Sequence, residues 1–399
     1  MPPSPKSVLL AGPPVESRPV RLAAVALLLL LVPLASARAD APPVPQGAAW
    51  IVDAPGHGGL LLVHAPAAHR EIASLTKLMT AHLVLRYANL DTVVATGADA
   101  MAVGESSVPL ALGERQTVHA LLAALIVHSA NDAAVVLAHA TMQEPAAQAA
   151  AARAAKARHR PLPGDPVARF VLLMNAEARR LGLRDTVYRT PHGLDEPGAH
   201  SSARDVLALA RLDMASPIFR ALARRTTVTI PGHRLQTSNT LLAAYAGLDG
   251  VKTGHTDEAG WNLAASADRN GVRLYAILLG SPDEVHRDHD VARLLDWGFD
   301  RFKRARLVRD GQSFGHAGTV RVVAAKGLAV TLDPGEQVHE RIVLPDRLDT
   351  HVSAGQRLGY VELRSGRGVL GRIALVADRA GGGPPSFTRW LRARVRALT

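Results

Sequence analysis

The chain has 399 residues, 48% of them hydrophobic, a formal net charge of +11 and no cysteine. That length and apolar fraction suffice for roughly two or three compact units with a sizeable core, which excludes a disordered or fibrous chain. Without cysteine there can be no disulfide, no thiolate nucleophile and no Cys-ligated zinc, so any nucleophile must be an oxygen or an amine.

Arg18 and Arg21 precede an apolar run over residues 22–34, and Ala35-Ser36-Ala37 or Ala37-Arg38-Ala39 offers small residues where a signal peptidase would cut. The run is short for an ordinary spanning helix. A transmembrane anchor extended at both ends competes with this reading, but Pro33 and the small-residue site fit cleavage better. Residues 1–39 are therefore expected to be a cleaved signal peptide, placing the rest outside the cytosol. There the positive charge meets anionic lipid head groups rather than nucleic acid.

After a Pro-rich stretch, Trp50-Ile51-Val52 and Leu60-Leu61-Leu62-Val63 flank Gly56-His57-Gly58-Gly59, which predicts a β-hairpin. Helical spacing starts at Ser74 and continues through Leu75, Leu78, Met79 and Leu83. A second helical run over 121–126 breaks at His128-Ser129-Ala130-Asn131-Asp132 and resumes over 133–140. Residues 143–166 are rich in Ala and Arg and close on Pro161, Pro163, Gly164 and Pro166, which predicts a surface insertion, part helix and part loop. Three antiparallel strands are expected over 250–254, 261–267 and 272–279, with Asn270-Gly271 as the turn between the last two. Beyond Trp297-Gly298-Phe299, short strands separated by Gly, Pro and Asp predict a separate small β domain.

The strongest local signal is Ser74-Leu75-Thr76-Lys77, because i and i+3 share a helix face and bring a hydroxyl beside an ammonium. Serine alone is a poor nucleophile near neutral pH, and a lysine can act as its base if burial and other cations lower its pKa. By itself the pattern is weak, and an N-cap serine with a solvated lysine fits it better. Two further elements change its weight: Ser129-Ala130-Asn131 in the break between helices, and Lys252-Thr253-Gly254 on a strand. This set of three accompanies acyl-serine chemistry.

With these motifs the sequence closely resembles the low-molecular-mass penicillin-binding proteins that are D-alanyl-D-alanine carboxypeptidases, from about residue 45 to the C-terminus, broken mainly by residues 143–166. The same resemblance extends through Pro191-His192-Gly193-Leu194-Asp195, Ser201-Ser202-Ala203-Arg204-Asp205 and Asp249-Gly250-Val251-Lys252-Thr253-Gly254-His255-Thr256. Ala130 departs from the glycine common there, which is expected to alter loop stiffness rather than activity. The resemblance implies an α+β penicillin-recognising serine-transferase fold: an antiparallel sheet flanked by helices, then a small all-β domain and a C-terminal amphipathic helix. The implied division is a signal peptide (1–39), a DD-peptidase domain (45–305, with 143–166 inserted), a β-rich domain (306–378) and a membrane-anchor helix (384–399).

The resemblance also implies roles. Ser74 would attack the penultimate D-alanine carbonyl of a peptidoglycan stem pentapeptide, with Lys77 as proton acceptor. The backbone N–H groups of Ser74 and His255 would hold the oxyanion. Ser129 would relay a proton to the leaving amine, and Asn131 would orient Lys77 or the substrate amide. Lys252 would add positive potential, while Thr253, beside Gly254, and Arg287 would bind the substrate's terminal carboxylate. Asp195 and Asn239 are expected to support the site or to serve as cap and turn residues. Penicillins would acylate the same serine. No cofactor or metal is called for, although His286-Arg287-Asp288-His289-Asp290 contains residue types that bind metals.

A serine β-lactamase and a catalytically silent wall-binding or β-lactam-sensing protein are the alternatives. The extra β domain and tail argue against the first, and the presence of Ser74, Lys77, Ser129 and Lys252 argues against the second. In the tail, Phe387, Trp390, Leu391, Val395 and Leu398 form one helical stripe with arginines filling much of the other face, the composition of a helix lying in a membrane interface. A charged amphipathic helix docked on its own protein is the other reading. The expected location is the periplasmic face of the inner (cytoplasmic) membrane.

Overall fold

The computed structural model describes residues 41–317, 319–343, 351–382 and 395–398, the backbone alone at 317 and 395–398. The expected signal peptide lies outside these residues. Among them, no helix is long and apolar enough to cross a membrane.

Five antiparallel strands form the central sheet, in the order Gly59–His64, Ala49–Ala54, Val272–Ser281, Gly260–Arg269, Leu248–Thr256. Strand alternation shows how the sheet is covered. Along Ala49–Ala54 every residue is buried. Ala49 and Ile51 face one apolar cluster, with the helices Lys77–Tyr87 and Ala203–Ala215, whereas Trp50, Val52 and Ala54 face a second, with the helix Glu284–Phe299. The sheet is thus packed on both faces, which is why residues 48–52 read as a continuous apolar run rather than an alternating one. Asn270 and Gly271 both have positive φ, as the expected hairpin turn requires.

Lys77–Tyr87 is buried nearly all round, through Leu78, Met79, Thr80, Ala81, Leu83 and Val84, so it is a core helix and needs no polar face. The interrupted helical run is a six-residue helix (Val118–Ala123), a π-helical turn (Ala124–His128), then Asn131–Gln143. At the break Ser129 adopts the left-handed conformation, φ 67° and ψ 27°.

The inserted residues form the helix Pro145–Ala157, whose buried Ala147, Ala151, Ala154 and Ala155 let it pack closely on Pro166–Leu181. Asp165 caps the second helix by accepting from Ala168 N at 2.7 Å.

The β-rich part opens with Lys303–Val308, which pairs with Leu328–Leu332, and continues in a sheet with its own apolar cluster around Val320, Val338, Val361 and Leu375. Two turns of the central sheet touch it. His57 Nδ1 lies 2.7 Å from Asp333 and 2.9 Å from Arg367 Nη1, and Asn270 O accepts from Thr331 Oγ1 at 3.0 Å.

The expected helix over 384–399 needs correction at its end. Val395–Leu398 is a strand paired antiparallel with Val338–Arg341. An exposed sheet edge offers unpaired N–H and C=O groups, and a short extended segment satisfies them along its whole length. Residues 383–394 lie outside the described residues.

Candidate active site

Ser74 occupies a 3-10 turn, Ala73–Thr76, that runs straight into the helix Lys77–Tyr87. Its hydroxyl caps nothing, and Lys77 is not solvated: the lysine is 1% exposed, which removes the N-cap reading. Lys77 Nζ donates to Ser74 Oγ, Asn131 Oδ1 and the carbonyl of His192, each at 2.7 Å. All three ammonium protons are therefore directed, and the amine is locked against the serine oxygen.

Asn131 is held in its turn. Its Nδ2 donates to Gly104 O at 3.1 Å and its backbone N–H to Ser106 O at 2.7 Å. The next residue, Asp132, is buried and accepts from Val108 N and Leu110 N, tying the loop before the second helix to the start of Asn131–Gln143. The π-helical turn and the left-handed Ser129 bring Ser129 and Asn131 to the same buried end of the break.

Gly254 brings the strand Leu248–Thr256 onto the serine turn. A Cβ there would lie 2.7 Å from Ile72 O and 3.0 Å from Ser74 N, so only glycine permits this approach. On the other side, Gly193 has φ +88° and packs against Ala73 O. Lys252 is buried with Nζ 3.0 Å from Thr253 O. Thr253 Oγ1 lies 2.8 Å from Ser238 Oγ. The ring of His255, which is itself exposed, lies tilted against Trp261 with the ring centres 4.0 Å apart.

Burial holds the Lys77 ammonium well below its ordinary pKa, and the charge of Lys252 pushes the same way. Burial, then Arg287, brings Lys252 down to about 7. His192 is lowered to about 4 by burial and by Lys77, so its imidazole is neutral near pH 7. Desolvation and the Lys252 charge thus make the Lys77 ammonium easier to deprotonate than a free lysine, beside the serine whose hydroxyl proton it would take.

Arg287 sits in the helix Glu284–Phe299 and is 1% exposed. Its guanidinium engages Asp288 at 2.7 Å, Glu284 at 3.0 Å and Thr240 at 3.2 Å, and lies 5.4 Å from the Trp261 ring centre. Thr240 also donates to Asp288. Asp195 accepts from Thr256 Oγ1 at 2.8 Å, fixing the end of the strand. Asn239 is buried, and its Oδ1 has no partner among the described residues. The histidines near Arg287 separate: His286 pairs with Asp283 and His289 with Asp290. Among the described residues no three His, Asp or Glu side chains converge as metal ligands would.

Two anchors escaped the sequence reading. The His192 carbonyl that holds Lys77 is a main-chain atom, which no residue type announces. Ser238, against Thr253, lies outside every recognised motif.

The family model for D-alanyl-D-alanine carboxypeptidases matches residues 36–144 and 140–283, breaking where the insertion begins. The chain belongs to this family of serine peptidases. A Salmonella typhimurium D-alanyl-D-alanine carboxypeptidase is 31% identical over 88% of this chain and 90% of its own length. An Escherichia coli counterpart is 32% identical over 81% and 83%. Among solved structures, penicillin-binding protein 6B of Escherichia coli superposes with a TM-score of 0.60 at 30% identity, covering 85% of this chain and 98% of that one. Penicillin-binding protein 5 of Haemophilus influenzae gives 0.58 at 26%, covering 86% and 99%. In this carboxypeptidase family member, the three motifs that lie far apart in sequence meet around one serine.

Proposed function

We propose that the protein is a serine D-Ala-D-Ala carboxypeptidase that removes the terminal D-alanine from peptidoglycan stem pentapeptides through an acyl-enzyme on Ser74. The observation that carries this reading is the buried Lys77 amine, 2.7 Å from Ser74 Oγ and held there by Asn131 and His192 O. Ser74 Oγ attacks the penultimate carbonyl carbon as Lys77 takes its proton. The Ser74 and His255 amides stabilise the oxyanion. Ser129 passes a proton to the departing D-alanine amine, and water then hydrolyses the ester. Thr253 and Arg287 read the free carboxylate of the chain end, with Arg287 exchanging part of its contact with Glu284 and Asp288 for the substrate. A β-lactam enters the same path as far as the acyl-enzyme.

The enzyme works at the periplasmic face of the inner membrane, exported by residues 1–39 and held by the tail from Pro384. The charge and apolar pattern of both segments support this location. The test is labelling with a fluorescent penicillin followed by incubation with a muropeptide pentapeptide. Labelling and released D-alanine from the parent, with neither from Ser74→Ala, are expected. D-alanine release by Ser74→Ala would overturn the assignment.

A further inference from the structure

The insertion packs on Pro166–Leu181 so as to leave a groove of about 860 Å³ between the loop after its helix, the end of Pro166–Leu181 and the segment 182–189. Arg158, Arg160, Arg179, Arg184 and Arg189 line it, all exposed, and no Asp or Glu does. Among the described residues none of these five arginines has an ion-pair partner. Arg180, on the same turn as Arg179, differs: it is bound by Glu177 at 2.6 Å.

The groove has a built floor. Asn175 bonds Tyr188 through both backbone atoms, donating to its carbonyl at 2.8 Å and accepting from its N–H at 2.9 Å. Arg169 donates to Pro163 O at 2.5 Å, which holds the Pro-rich loop down on the helix. The like charges are close enough to interact, since burial and Arg158 both lower the pKa of Arg179. Part of this charge answers the carbonyls at the end of Pro166–Leu181, but Arg158 and Arg160 belong to the insertion. A groove that collects five guanidinium groups without ion-pair partners among the described residues gains most from a ligand with several oxyanions, which the planar fork binds bidentately. Val187, Tyr188 and Arg189 also line a small cleft bounded by Ile72, Ala73 and Thr76 of the serine turn, so the groove adjoins the catalytic region.

We infer that this arginine groove is a second, non-catalytic binding site for a carboxylate-bearing polyanion, the wall strand itself, whose neighbouring uncleaved stems each end in a free carboxylate. The site would hold the enzyme on polymeric substrate while Ser74 works on one stem. This inference rests on the carboxypeptidase reading for the identity of the strand.

The full chain and its Arg158→Glu/Arg179→Glu variant are compared in three measurements: co-sedimentation with purified peptidoglycan sacculi, D-alanine release from sacculi, and D-alanine release from a soluble pentapeptide. Loss of about tenfold or more in sacculus affinity and in turnover on sacculi is expected, weakened by salt in the parent, with the soluble peptide cleaved as before. Equal retention of both proteins on sacculi, or equal loss of activity on both substrates, would overturn the inference. So would a variant that binds sacculi normally but loses binding to vesicles containing anionic phospholipid, which would make phosphate head groups the ligand. Should the parent release no D-alanine from the soluble peptide, the carboxypeptidase reading fails, while sedimentation still tests the groove.

Discussion

A methyl group placed on Gly254 would stand 3.0 Å from the backbone nitrogen of Ser74, and this close approach ties the strand Leu248–Thr256 to the turn of the proposed nucleophile. The same methyl would meet Leu75 N at 3.1 Å. Backbone, unlike the end of a flexible side chain, cannot step aside. Gly254→Ala is therefore expected to push the strand from the serine turn and misalign the amides proposed to hold the oxyanion. Acylation by a fluorescent penicillin should fall by about 10²–10³-fold, the usual effect of losing one such donor. Circular dichroism should show an intact fold. Near-parent acylation would mean that the strand finds room and that the close approach has no catalytic weight.

Lys77→Ala removes the only amine bonded to Ser74 Oγ among the described residues. Acylation should drop by at least the roughly 10²- to 10⁴-fold typical of a lost proton-transfer group. The cavity left behind is polar, lined by Asn131 Oδ1 and His192 O, so a water molecule fits it better than apolar collapse does. Normal acylation would transfer the base role to another residue.

Lys252 sets the pH dependence through its charge. In the parent that charge helps hold Lys77 low, so deprotonated Lys77 is available at lower pH than for a free lysine. Replacing Lys252 with Ala removes the repulsion and admits water, and both raise the Lys77 pKa. The rising limb of acylation rate against pH should shift upward in Lys252→Ala, whereas Lys252→Arg should keep it near the parent position. Stability has its own sign. Because Lys252 titrates at about 7 in the folded protein and near 10.4 in the unfolded chain, folding is disfavoured below that window and gains as pH rises through it. Lys252→Met should flatten this rise in denaturant titrations made at successive pH values. An acylation profile that does not move would separate the two lysines electrostatically.

Arg287→Ala should lower kcat/KM on a D-Ala-D-Ala peptide by about ten- to a hundredfold, the ~1.5–3 kcal/mol of a hydrogen bond to a charged group. A substrate with its terminal carboxylate amidated should be poor with the parent and lose little more. Removal of the guanidinium also leaves Glu284 and Asp288 facing each other without a cation, so Tm should fall by a few degrees, on the order of 1 kcal/mol. Equal loss on both substrates would show that Arg287 supports the site generally and that Thr253 reads the carboxylate.

Truncation before Pro384 should release the protein from the membrane fraction while leaving hydrolysis of a soluble peptide in place. Among the described residues, the β-rich sheet loses the pairing of Val395–Leu398 with Val338–Arg341. Salt alone should weaken attachment without abolishing it, because apolar burial of Phe387, Trp390 and Leu391 would not depend on charge. Retention of the truncated, signal-processed protein in the membrane fraction would refute the anchor.

Residue spacing and composition were enough to specify the chemistry class. Ser74 and Lys77 share a face because they are three residues apart on one helical stretch, and local spacing of that kind survives any tertiary arrangement. Absence of cysteine restricted the nucleophile, and Asn270-Gly271 specified a turn that only positive φ satisfies. The first strand and the three central strands were likewise legible as short apolar runs bounded by turn residues, the pattern of a sheet buried on both faces. The tail was not: its apolar residues fit a helical stripe, yet Val395–Leu398 extends along a sheet edge, because unpaired backbone groups there outweigh a local preference. Long-range contacts have no local signature and arise with folding. Whether Lys77 is solvated or buried depends on Asn131, 54 residues away, and on a carbonyl at His192, 115 residues away. The arginine groove has the same origin, for no motif marks five arginines drawn from an insertion, a helix end and a loop. Charge proximity is a property of packing, and it comes into being only when Pro145–Ala157 docks on Pro166–Leu181.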